Sequence, residues 1–154
     1  MLLGTAALAA LSVSAAACGK PPPPPELDDL VAQLDLAHSD SQLASDAVAT
    51  ASHQLRPALS AVASERSDHA QALSDEIARL TRQTTTSAPP TTSMPQAHAP
   101  TINDVVAALR NSADSAAQLA AQMSGYRAGL LGSIAASCTV AYTVGLAAPP
   151  DGAP

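Results

Sequence analysis

At 154 residues the chain holds one domain's worth of sequence, and removing a leader and a spacer leaves roughly 120 residues for a single modest core. Hydrophobic residues make up 47%, charged residues 13%, and Phe and Trp are absent, so Ala, Leu, Val and Ile must build that core; this favours closely packed helices over a sheet. The net charge of −6 argues against a nucleic-acid face and against attraction to anionic lipid.

Residues 1–18 read as an export leader. Met1 to Ala17 carry no charge and run through Leu2, Leu3, Leu8, Leu11 and Val13 into Ala15, Ala16 and Ala17 before Cys18. An apolar stretch closed by small residues is the form of a secretory signal. A Cys directly after it resembles a bacterial lipobox, which implies lipidation of Cys18 and a membrane anchor at the extracytoplasmic face. Two features depart from that pattern: Ala15 stands where Leu is preferred, and no Lys or Arg precedes the apolar run. A cleaved signal and a secreted product form the alternative. Residues 19–25 follow as a polyproline spacer, in which Pro21 to Pro25 favour an extended rod of about 3.1 Å per residue.

Residues 26–148 read as four helices. From Glu26, the positions Leu27, Leu30, Val31, Leu34, Ala37, Ala44, Ala47, Val48 and Ala51 recur at helical spacing, with Asp28 and Asp29 in the first turn where the helix dipole favours negative charge. A second stripe runs Leu55, Leu59, Val62, Arg66, His69, Leu73, Glu76 and Leu80; Pro57 lies early enough to need no intrahelical bond. A short turn over 52–56 makes these two helices an antiparallel hairpin. Residues 83–100, rich in Thr and Pro, cannot be helical and are long enough to run the length of a bundle; such a stretch on an exported protein is also a candidate for O-linked sugar.

Thr101 and Asp104 offer a capping box for a third helix with Ile102, Val105, Val106, Leu109, Ala113, Ala116, Ala120 and Met123 on one stripe, broken by Ser124 and Gly125. A fourth helix, from about Tyr126 to Ala148, carries Leu130, Leu131, Ile134, Cys138, Ala141 and Val144, and residues 149–154 form a tail. The stretch 128–148 has no charge and is long enough to span a bilayer, but its Gly, Ser and Thr content favours a buried bundle helix. A faint repeat at an offset of 75 residues sets Leu30, Val31 and Leu34 against Val105, Val106 and Leu109.

Hairpin, long crossover, hairpin is the order of the ferritin-like four-helix bundle, with its long connection between helices 2 and 3. The segments Leu59-Ser-Ala-Val-Ala-Ser-Glu65-Arg66-Ser-Asp-His69-Ala70 and Tyr126-Arg127-Ala-Gly-Leu-Leu-Gly-Ser-Ile134-Ala-Ala-Ser-Cys138 resemble an actinobacterial ferritin-like domain family of unknown function, found in alanine-rich mycobacterial envelope proteins. The resemblance covers about residues 27 to 147. It implies an all-α fold and a bacterial envelope setting, without an activity.

The di-iron site of the wider superfamily needs a Glu from each of two helices and a Glu-x-x-His from each of the others. This chain has three Glu residues, Glu26, Glu65 and Glu76, and its fourth helix holds no Glu, Asp or His. That site cannot be assembled, and no cofactor is expected. The antiparallel hairpin brings His38 near His69, so the expected polar feature is a buried cluster of His38, Glu65, Arg66, His69 and Glu76 that sets helix register. The alternative is a mononuclear metal site on His38, Glu65 and His69. Cys138, on the apolar stripe, reads as a buried inert thiol, with a Cys18–Cys138 disulfide as the competing arrangement. No catalytic residue is assigned: there is no phosphate loop, Ser/His/Asp order or metal-type Cys spacing, and His53 and His98 fall in turn or linker. The expected partners are the membrane, through the lipid, and an envelope protein or a second copy.

Overall fold

A computed structural model describes residues 24–81 and 99–147; the leader, Cys18, most of the spacer and crossover, and the tail lie outside the described residues. Within them the protein is all-α. α1 spans Leu27–Ala47, α2 Arg56–Thr81, α3 Ile102–Gln122 and α4 Gly125–Val140, the last running on into a π-helical turn, Ala141–Gly145.

The helix ends follow from local chemistry. Asp28 and Asp29 occupy the first turn of α1, as expected. The helical pattern predicted to reach Ala51 tightens instead after Ala47, where Val48, Ala49 and Thr50 donate their amides three residues back and the Thr50 hydroxyl competes for the Ala47 carbonyl. The Arg56 side chain then donates to the Ala51 carbonyl at 3.2 Å. α3 opens on the expected capping box: the Thr101 amide donates to Asp104 Oδ2 at 2.7 Å, and the Asp104 amide to Thr101 Oγ1 at 3.3 Å. Between α3 and α4 the backbone reverses at Gly125, whose φ of 60° is one that a side chain would disfavour.

Every neighbouring pair of helices is antiparallel. α1 meets α2 with Ser41 opposite Ala63, and meets α3 with Gln33 opposite Ser115 while Thr50 reaches Pro100. α4 meets α2 with Ser137 opposite Glu65 and Arg127 opposite Glu76. The order is therefore up, down, down, up. Thr81 and Ala99 consequently lie at opposite ends of the bundle. The backbones of α2 and α4 stand farther apart than those of the other three neighbouring pairs.

One core unites the helices: Leu30, Leu59, Leu73, Val105, Leu109, Leu131 and Ile134 fill it, and fully buried Ala37, Ala44 and Ala116 let the helices close on one another. α4 contributes Leu131, Ile134, Ala135 and Cys138, so it packs as a bundle helix. Its other face is open, with Tyr126, Val140 and Val144 exposed. By length and composition alone, Gly125–Gly145 is also long and apolar enough to cross a membrane.

Candidate functional site

Beside buried Gln33, which donates to Ser115, the interior polar groups among the described residues form two layers. In the middle of the bundle Asp40 of α1, Arg66 of α2 and Ser112 of α3 are all buried on stripes made mostly of Leu, Val and Ala. Arg66 Nε donates to Asp40 Oδ2 at 3.1 Å, and the Ser112 hydroxyl donates to the same oxygen at 2.6 Å. Arg66 Nη1 lies 3.1 Å from His69 Nδ1, which accepts its proton when the neutral imidazole carries hydrogen on Nε2. Arg66 Nη2 has no partner among the described residues.

Burial dominates the electrostatics of this layer. It pushes the Asp40 carboxyl above its ordinary range, against the opposing pull of the Ser112 hydroxyl and the Arg66 charge. It pushes His69 downward, and the neighbouring Arg66 charge adds to that shift. Cys138, buried beside them, has its thiol raised by the same desolvation, which favours the protonated form.

The second layer lies toward the end of the bundle where the chain enters α1. Glu76, with its side chain almost wholly buried, accepts two bonds from the exposed Arg79, at 2.7 and 2.6 Å. Arg127 of α4 approaches Glu76 at 3.9 Å and Glu26 at 3.6 Å, so one guanidinium ties α4 to both α1 and α2.

The expected five-residue cluster is thus divided. Arg66 and His69 come together, while Glu76 is buried with other partners. His38 is exposed, because the inward stripe of α1 is Leu30, Gln33, Ala37, Asp40, Ala44 and Ala47, and His38 sits 100° past Ala37. Glu65 is also exposed, and accepts a hydrogen bond from Ser137 of α4. His38, Glu65 and His69 therefore do not converge, and no group of three or more His, Cys, Asp or Glu side chains among the described residues is arranged to hold a metal ion. Asp40 and Ser112 were missed, although the signal was present: each completes a stripe of mostly apolar residues.

The described residues also leave open hollows between the helices. A groove of about 480 Å³ runs between the first half of α2 and the end of α4, with Ala58, Ala61 and Val62 on one wall and Val140, Ala141 and Val144 on the other. Glu65 and Ser137 form its polar end. The π-helical turn lies on its rim and closes with the Leu146 amide donating to Ala141 at 2.8 Å. Such turns recur at functional sites. A smaller hollow of about 280 Å³ lies between Asp75, Glu76, Arg79 and Tyr126.

No family model, curated protein or solved structure matches the chain.

Proposed function

We propose that the chain is an exported ferritin-like helical bundle, tethered through a lipid on Cys18, that acts as a non-enzymatic binding or scaffold module at the outer face of the membrane. The observation that carries the binding reading is the division of labour among its polar groups. Asp40, Arg66 and Ser112 are spent on one another across three helices, with no exposed nucleophile or paired acid and base among them. The groove between α2 and α4 is instead apolar. The up, down, down, up order with its long second connection supports the ferritin-like assignment, and the apolar leader ending at Cys18 supports the tether.

Two measurements test this reading. Growth with a labelled fatty acid should mark the native protein, and Cys18→Ser should abolish the label and release the bundle from membranes. Metal analysis of protein purified without chelator should find no stoichiometric transition metal. A metal lost in His69→Ala would overturn the non-enzymatic binding role in favour of a metal protein.

A further inference from the structure

The groove between α2 and α4 has apolar walls and ends on a carboxylate. Its volume falls within the range of small-molecule sites, and its α2 wall, Ala58 to Glu65, extends about 10 Å along the helix. Val140 and Val144 stand 60% and 70% exposed on the opposite lip, leaving apolar surface that an aliphatic group would cover. Val62 and Ala141, both buried, are the least exposed residues of the two walls.

Charge selects among apolar occupants. Asp40, Glu76 and Glu26 each have an Arg partner. Glu65, at the end of the groove, has no Arg or Lys partner among the described residues and accepts its bond from the neutral Ser137 hydroxyl. The adjacent Arg66 cannot serve it, being turned inward to Asp40, and Arg56 is held on the Ala51 carbonyl. A carboxylate at the end of an apolar trough attracts a cationic head and repels an anionic one.

Building on the binding-module reading above, we infer that the groove is a site for small cationic amphiphiles, molecules with one amine and an aliphatic body of about 10 Å. The body lies against Val62, Ala141 and Val144, and the ammonium donates to Glu65. Carboxylates and phosphates of the same length are rejected.

Isothermal titration of the full chain with n-octylamine, n-octanoate and n-octanol tests the site. Octylamine should bind once per chain, octanol more weakly and octanoate not at all. Glu65→Gln, at an exposed position, should weaken octylamine about two- to fivefold, the effect of one solvated ion pair, and leave octanol unchanged. Ala61→Trp, which fills the groove from its exposed wall, should abolish binding of both. Methyl shifts of Val140 and Val144 on adding octylamine to the unmodified chain should locate the site without any variant. Equal binding of octylamine and octanoate, or an unchanged Glu65→Gln variant, would overturn the inference. So would a concentration-dependent dimer that Val144→Asp dissociates, since a second copy would then be what covers the face. A chain that ignores all three probes but carries the lipid and no metal would sink this site and leave the broader reading in place.

Discussion

Asp40 Oδ2 receives Arg66 Nε at 3.1 Å from α2 and the Ser112 hydroxyl at 2.6 Å from α3, so one carboxylate oxygen joins three helices inside the core. Removing one ion leaves the other buried and uncompensated. Arg66→Ala and Asp40→Ala should each destabilise the bundle by roughly 3–5 kcal/mol, and Ser112→Ala by about 1–2 kcal/mol. The double replacement Asp40→Leu/Arg66→Met should be far less damaging than the sum of the single losses, because it takes both charges out of the interior together. Denaturant unfolding of the four variants measures this, and strict additivity would contradict it.

The two titrating members of this layer act in opposite directions with pH. Asp40 has its folded pKa raised above the ordinary 3.8, so its contribution to stability is complete below that value and is lost as pH rises through the folded pKa. His69 has its folded pKa lowered from 6.5, so its contribution is present above 6.5 and is lost as pH falls through the folded value. Relative to the unmodified chain, Asp40→Asn should gain with rising pH above 3.8, and His69→Gln should gain with falling pH below 6.5. Unfolding midpoints over a pH series read the two slopes separately.

In the second layer the buried acid should matter more than its exposed partner. Glu76→Ala removes the carboxylate that Arg79 hydrogen-bonds and Arg127 faces at 3.9 Å, and Arg127 Nε is already buried without a hydrogen-bond partner among the described residues. A loss of about 2–4 kcal/mol is expected. Arg79→Ala should cost far less, since its side chain is 62% exposed and surface pairs contribute little. Equal effects would show that Glu76 is not the anchor of this end.

The alanine-rich interior should resist enlargement. Ala44 and Ala116 are fully buried, and Ala44→Leu or Ala116→Leu should destabilise by about 1–3 kcal/mol by prising helices apart. Leu109→Ala should cost about 2–5 kcal/mol through the cavity it opens. Thermal unfolding followed by circular dichroism compares these variants, and a more stable Ala44→Leu chain would reveal slack in the core.

The chain by itself determined the helices, most of their ends and their pairing into two hairpins. Apolar spacing sets the angle of each residue around its own helix, the capping box at Thr101 and the turn at Gly125 are local, and a short connection leaves an antiparallel neighbour as the remaining geometry. The inward position of Arg66 was legible for the same reason. His38 falls outside the core because it lies one turn after Leu34, which is at the edge of the stripe and only partly buried. Only the tertiary structure decided which polar groups meet. Asp40 and Ser112 are 72 residues apart, and their contact depends on how three helices align along their axes, which one helix's periodicity does not encode. The same holds for the groove: the wider separation of α2 and α4, the outward face of α4 and the Glu65–Ser137 bond arise between helices, where packing sets the spacing.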